Sequence, residues 1–240
     1  MVIDVGGTSA KVWGPEGVKL EKIRTGKDFT PDQLIENVRG LVEREPCDAL
    51  SVGYPGKVAN GRPAREPWNL GEGWMKFDFE AAFQKPVRIM NDAAMQALGA
   101  YDGGCMLFLG LGTSVGSALV VDGVVAPLEL GNIPYSRRTT LEDVLSKRGL
   151  RRLGGMLWSR AVLGVTPKLQ NAFMADYIVL GGGNAKLVRG DIPATVRLGG
   201  NSDAFLGGMR LWNTRTLGTA GWFHESGIAV STKLVTPKAL

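Results

Sequence analysis

The 240-residue chain predicts an α/β protein of two lobes, each a mixed sheet flanked by helices, facing one another across a central cleft. Two observations predict it. A succession of short apolar strand, glycine turn, hairpin and helix occurs once in each half of the chain. The 34 glycines gather in short clusters at the ends of strand-like segments, at 6–7, 110–112 and 181–183. Clustered glycine marks places where the backbone must approach something closely or adopt a positive φ.

In order, residues 1–5 read as a strand that runs directly into Gly6-Gly7-Thr8 and leaves little room for an upstream domain. Segments 11–13 and 18–23 flank Gly14-Pro15-Glu16-Gly17 as a hairpin continuing the same sheet. Thr30-Pro31-Asp32-Gln33 is a helix start, and Leu34, Val38, Leu41 and Val42 supply an apolar face to about residue 45. A strand at 49–53 ends in Tyr54-Pro55-Gly56, a short helix covers 77–83, and a strand at 87–90 leads through Asn91-Asp92 into an alanine-rich helix at 93–101. The pattern then restarts. A strand at 106–109 closes in Gly110-Leu111-Gly112-Thr113, and 116–121 with 124–126 form a hairpin around Asp122-Gly123. Helical stretches lie near 140–151 and 156–173, with Pro167 as a kink or break. A strand at 177–180 ends in 181–183, and a helix closes the pattern at 203–212. The lobes are expected to comprise 1–103 with helix 203–212, and 104–202. Residues 213–240, rich in Thr and Gly, read as a loosely ordered tail.

Composition narrows the partners. With 44% hydrophobic and 21% charged residues the chain is of ordinary globular type. A net charge of +5 suits an anionic ligand such as a nucleotide or polyphosphate, and suits a solvated surface equally well. No uninterrupted basic block or aromatic-interleaved basic patch is present, so nucleic acid is not an expected partner. Cys47 and Cys105 form no CxxC pair and His224 is the sole histidine, which argues against a zinc site. Neither a leader nor an apolar run approaching ~18 residues is visible. The expectation is a soluble cytoplasmic protein with no membrane partner.

The chemistry concentrates in two turns. Asp4-Val5-Gly6-Gly7-Thr8 sets a carboxylate at a strand end before a glycine turn. Backbone N–H groups at Gly6 and Gly7 can cradle phosphate oxygens, with the Thr8 hydroxyl as a further donor. Asp4 is then placed to hold Mg²⁺, directly or through water, since Mg²⁺ takes few carboxylates and keeps several waters. A plain hairpin turn would use the same residues. Segment 110–116 repeats this chemistry at the start of the second half, and two such turns at equivalent places weigh more than one.

DVGGTSAK, LGLGTSVGSALVVDG and YIVLGGG resemble the phosphate-1, phosphate-2 and adenosine segments of the actin-like ATPase (ribonuclease H-like) superfold shared by actin, hexokinase and Hsp70. Between them, GYPGKVANGRP, EPWNLGEGW, RIMNDAAMQALG and LELGN resemble the sugar-site segments of the ROK family of sugar kinases. The resemblance is strongest to its compact, polyphosphate-glucokinase-like members without the zinc motif, and runs in order from residue 1 to about 212. It implies transfer of a phosphoryl group from ATP or inorganic polyphosphate to the 6-hydroxyl of glucose or a related hexose, with Mg²⁺ at Asp4 and a homodimeric assembly. It assigns phosphate and nucleotide contacts to Gly6, Gly7, Thr8, Lys11, Gly110, Gly112, Thr113, Gly181, Gly182 and Gly183. The family's catalytic base is the aspartate of its ND pair, here Asp92. A hydroxyl attacking a γ-phosphate needs a carboxylate within hydrogen-bond reach, while the loose transition state gains mainly from positioning and charge stabilisation. Asp92 also reads as the cap of helix 93–101, a role compatible with catalysis because a helix N-terminus would keep it ionised, and the context favours catalysis. Gly56, Asn69, Asn91 and Glu129 match family residues that bind sugar hydroxyls, where an analogue lacking a hydroxyl leaves a buried group unpaired. Asn69 also reads as a turn residue before Gly71.

Three positions depart from the family pattern. Asn132 stands where the E-x-G-H motif ends in histidine. Zinc-containing members use that histidine beside three cysteines that this chain also lacks, so the zinc reading fails as a unit. Asn132 still donates and accepts, which implies weakened or altered sugar recognition. Glu142, at a helix start resembling the one after the family's cysteine loop, is a candidate third sugar carboxylate or a first-turn helix acid. Ser114 replaces a frequent glycine in the second phosphate turn and is expected to lower phosphate affinity. Two rival functions remain open at this stage. One is a catalytically weak sugar-binding sensor of the repressor branch, although no helix-turn-helix precedes Met1. The other is an actin-like ATPase without a sugar, against which the hydroxyl-binding row speaks.

Overall fold

Two five-stranded sheets with the same strand order carry the chain. The computed structural model describes residues 1–200 and 202–213, so the expected tail and His224 lie outside the described residues. The elements of the first half are β1 (Val2–Val5), β2 (Ser9–Trp13), β3 (Lys19–Arg24), α1 (Pro31–Arg44), β4 (Leu50–Tyr54), β5 (Val58–Ala59), β6 (Arg62–Pro63), α2 (Phe79–Phe83), β7 (Val87–Asn91) and α3 (Asp92–Ala100). The chain continues through β8 (Cys105–Leu111), β9 (Val115–Val121), β10 (Val124–Leu128), β11 (Pro134–Ser136), β12 (Thr139–Thr140), α4 (Leu141–Leu145), α5 (Lys147–Phe173), β13 (Tyr177–Gly181), β14 (Val196–Leu198) and α6 (Asp203–Arg210).

The first sheet runs β3-β2-β1-β4-β7 and the second β10-β9-β8-β13-β14. In each, the first three strands are antiparallel neighbours and the last three are parallel. The α/β class with mixed sheets is as the sequence predicts. Local chemistry explains most elements. Thr30 caps α1 through a full capping box with Gln33. Asp122 and Gly123, at φ 49° and 77°, make the tight turn between β9 and β10.

The expected break at Pro167 is not observed. The chain leaves helical geometry at Gly154 instead (φ 75°, ψ 161°), and Pro167 stays inside α5. The proline frees the carbonyl of Leu163, and the Thr166 hydroxyl takes it at 2.9 Å, which makes the interior proline tolerable. The closing helix is α-helical to Arg210 and ends in a 3₁₀ turn.

Three apolar clusters form the core. One lies under the first sheet with α1, one under the second with α4 and α5, and the third between the sheets around α3 and α6. The third joins Val2 and Met90 of the first sheet to Met106, Phe108 and Val120 of the second. Helices α3 and α6 cross almost backbone to backbone. A Cβ on Gly99 would overlap the carbonyl of Asp203, and one on Gly207 would overlap that of Met95. Arg210 then ties the end of α3, donating to the carbonyls of Leu98, Gly99 and Tyr101 at 2.9, 3.1 and 2.9 Å. Because α3 also carries Asp92 at its first residue, this crossing sets the height of that carboxylate in the cleft.

Gly99→Ala is therefore expected to destabilise the fold by about 1–3 kcal/mol, with a fall of roughly 2–4 °C in Tm for each kcal/mol. Thermal denaturation checks this, and an unchanged Tm would mean the two helices do not touch at Gly99.

Candidate active site

Strands β1, β4 and β7 run parallel and end side by side. Asp4 lies opposite Gly53, and Tyr54 opposite Asn91, so the carboxyl edge of the sheet presents Asp4, Gly53 and the Asn91-Asp92 pair together. That edge is where open α/β sheets bind ligands. Asp4 is buried, its Oδ1 has no hydrogen-bond partner, and Lys11 Nζ lies 3.9 Å from its Oδ2. Burial pushes the carboxyl of Asp4 up to about 6, against the pull of Lys11 and a hydrogen bond from Gln96. Asp92 is only partly exposed. Burial foremost, then the charge of Asp4, pushes its carboxyl up to about 8, with Glu129 adding to the rise. The Ala93 N–H, donating at 2.8 Å, works the other way.

Helix capping falls to Asn91, not Asp92. Asn91 Oδ1 accepts the Ala94 N–H at 3.0 Å, and its Nδ2 donates to the carbonyl of Gly56 at 3.1 Å. The cap role expected of Asp92 is thus corrected, and its carboxylate draws only on the backbone N–H groups of Ala93 and of Asp92 itself. Asn91 in turn has most of its amide committed to the fold, leaving one N–H and one lone pair for a ligand. Gly56 is held where a Cβ would meet the Tyr54 ring at 2.8 Å.

The two glycine turns are the hairpin turns of their sheets, as the plainer of the two readings has it. Gly6 N–H donates to Ser9 O at 3.1 Å, and Gly112 N–H to Ser114 O at 3.2 Å, leaving the backbone N–H groups of Gly7, Thr8 and Thr113 without a partner among the described residues. Asn69 spans the gap between the turns. Its Cβ sits where a Gly7 Cβ would be 2.8 Å away, and its Nδ2 donates to Ser114 Oγ at 3.3 Å. Ser114, expected only to weaken the phosphate turn, is therefore also a contact between the two halves.

The adenosine segment packs on the second turn. Asn184, one residue after the glycines, donates its N–H to Leu111 O at 2.9 Å and its Nδ2 to Gly112 O at 3.4 Å. Two expected contacts are corrected here. Gly110 and Gly181 are buried strand partners, and a Cβ on either would press on the Phe108 ring. Their lack of a side chain serves packing against that ring. Gly182 (φ 77°) and Gly183 are exposed, with open space beside Gly183.

Glu142 accepts the Val115 N–H at 2.6 Å and so holds the end of the second turn. Burial raises its pKa, with the Val115 N–H and Arg148 opposing. Glu142 is also a first-turn acid of α4, as the second reading has it, and Asp143 beside it completes the capping box with Thr140. A Cβ on Gly131 would be 3.2 Å from Glu142 Oε2, so the glycine of LELGN makes room for that carboxylate. Glu129 and Asn132 stand exposed on either side, and Glu129 acts electrostatically on both Asp92 and Glu142. Among the described residues no three acidic, histidine or cysteine side chains converge as a metal cage. Two participants were missed from sequence. Gln96 lies four residues after Asp92, a helical spacing that would have placed it on the same face. Gly53 leaves the space at Asp4, since a Cβ there would be 3.3 Å from Oδ1.

No family model matches the chain. Its sequence is 25% identical over 203 residues to the polyphosphate glucokinase of Mycobacterium leprae, covering 75% of this chain and 62% of the relative. It is 27% identical over 180 residues to that of Mycobacterium tuberculosis, covering 68% and 66%. The chain is similar in sequence to polyphosphate glucokinases. It spans less than two thirds of their length. Its fold is that of the ROK sugar kinases. The inorganic polyphosphate/ATP-glucomannokinase from Arthrobacter superposes with a TM-score of 0.71 at 24% identity, over 88% of this chain and 97% of that one. A ROK family glucokinase from Streptomyces griseus in complex with glucose and AMPPNP superposes at 0.64 with 16% identity, over 87% and 97%.

The raised carboxylates make stability depend on pH in a definite direction. Folded Asp92 keeps its proton to about 8, whereas an unfolded aspartate loses it near ~4, so the folded state binds more protons in that window and loses stability as pH rises through it. Asp92→Asn is expected to leave Tm unchanged below pH 4 and to raise it progressively towards pH 8. A Tm difference that is flat with pH would remove the electrostatic account of this site.

Proposed function

We propose that the chain is a glucokinase-type phosphotransferase that moves a phosphoryl group from ATP or inorganic polyphosphate to the 6-hydroxyl of glucose or a related hexose. The observation that carries this reading is the pair Asp4 and Asp92, from separate segments, at one strand edge beside two glycine turns with free N–H groups. The names of the relatives and the fold support it.

Asp92 acts as the general base, accepting the proton of the attacking hydroxyl as the oxygen approaches phosphorus. Gly7, Thr8 and Thr113 donate backbone N–H groups to the phosphate oxygens, and Lys11 adds charge beside Asp4. Asn69, Glu129 and the remaining donor of Asn91 orient the sugar, with Asn132 at the rim. The unpartnered Oδ1 of Asp4 fits a Mg²⁺ ion held through one carboxylate and water. When bound, Mg²⁺ supplies charge stabilisation for the transferred phosphoryl group. The two lobes, 1–103 with 203–212 and 104–202, and a cytoplasmic homodimer belong to the same proposal.

The free enzyme's base titrates near 8, so kcat/KM is expected to rise with pH up to about 8 and then level. Asp92→Asn should lower kcat by about 10²–10⁴ in a coupled assay across hexoses with each donor. Turnover that survives this substitution would overturn the assigned base, and turnover indifferent to added hexose would overturn the acceptor.

A further inference from the structure

The chain's positive charge is unevenly placed. Segment 137–160 holds seven Lys and Arg residues against two acids, an excess equal to the +5 of the entire chain. These residues are interrupted in sequence, which hides them from a search for basic blocks, but the fold places them in the turn between β11 and β12 and along the first half of α5. Both acids are already engaged. Glu142 accepts from the Val115 N–H, while Asp143 caps α4 and pairs with Arg148. Arg137, Arg138, Arg151 and Arg160 are exposed, and their side chains have no hydrogen-bond or ion-pair partner among the described residues.

This face adjoins the second glycine turn, because the first residue of α5, Lys147, donates its N–H to the carbonyl of Gly112 at 2.8 Å. Next to it a groove of about 460 Å³ opens between the β11–β12 ribbon and α5, with Arg152, Arg160, Ser136 and Thr139 beside a largely apolar floor that includes Leu153 and Leu157. The two hydroxyls bond each other at 2.7 Å, which uses one of their protons and leaves one to offer an anion. Guanidinium groups spaced along a helix, with hydroxyls beside them, suit a long flexible polyanion better than a compact one. Among polyanions, one continuing outward from a phosphate cradle is itself a phosphate chain.

We propose that this basic face is a binding track for the trailing chain of inorganic polyphosphate, starting at the turn around Gly112 and Thr113. The identity of the anion rests on the phosphotransferase reading above, whereas the track itself rests on the charge and the groove.

The test compares the full chain with the variant Arg137→Ser/Arg138→Ser/Arg151→Gln/Arg160→Gln, which removes no side-chain hydrogen bond or ion pair of the described residues, with thermal denaturation confirming that both are folded. Binding of long-chain inorganic polyphosphate is followed by calorimetry at several salt concentrations, and KM is measured for long-chain polyphosphate and for ATP. The expected result is affinity for long-chain polyphosphate reduced by about tenfold or more, with a shallower salt dependence, by roughly 0.7 in slope for each cation that contacts a phosphate. KM for polyphosphate should rise in parallel while KM for ATP stays put. Unchanged affinity, no binding by either protein, or single-stranded RNA displacing polyphosphate at fewer phosphate equivalents each overturns the track. Polyphosphate binding that falls in the variant, in a protein that phosphorylates no hexose with either donor, upholds the track and removes the phosphotransferase.

Discussion

Two carboxylates that repel one another are held at one strand edge, and the architecture around them exists to keep them there. Burial raises the cost of ionising both Asp4 and Asp92, and the charge of Asp4 raises that of Asp92 further. Left free, α3 would relieve that cost by sliding or tilting outward. It is prevented on three sides: by α6 at Gly99 and Gly207, by β9 where a Cβ on Gly116 would meet Ala93 at 2.6 Å, and by the Asn91 cap bonded to Gly56. Packing contacts this close leave no soft direction for the helix. The strain of bringing acids together is thus borne by a core cluster shared between both sheets, which is why the chemistry and the joint between the two halves are inseparable.

Much of this was legible in the chain. Strand, glycine turn and hairpin are local, each set by a few adjacent residues, and they appear where composition and turn chemistry place them. The identical strand order of the two sheets is the structural form of the repeated sequence pattern. The short ribbons β5–β6 and β11–β12 and the edge strand β14 were not legible, since segments of two or three residues carry no periodicity. Pro167 was misread because a local rule was overridden by a neighbour, the Thr166 hydroxyl, that supplies the missing donor.

Within the site, sequence named the groups but not their division of labour. Asn91 and Asp92 are both good caps, and only the geometry decides that Asn91 takes the helix and Asp92 the cleft. Gly110 and Gly181 look like ligand-facing glycines in a glycine cluster, yet their neighbour Phe108 claims them for packing. Glycine is ambiguous in sequence because close approach to a ring and close approach to a phosphate require the same missing side chain.

Charge gives these pieces a common logic. Acids line the cleft at Asp4, Asp92, Glu129 and Glu142, where among the described residues Lys11 is the only cation paired with them through a direct ion-pair contact. The chain's excess of cations lies outside the cleft, around its second phosphate turn. Had those arginines stood inside, they would hold Asp92 ionised but also bind it, and a base already paired to a guanidinium is a poor acceptor for a sugar proton. In the proposed reaction, placing them beyond the turn would leave a carboxylate that burial keeps protonated towards neutral pH beside the acceptor, and a cationic approach for an anionic donor. In this arrangement the asparagine at 132 is consistent, because a histidine there would add a titrating cation next to Glu129.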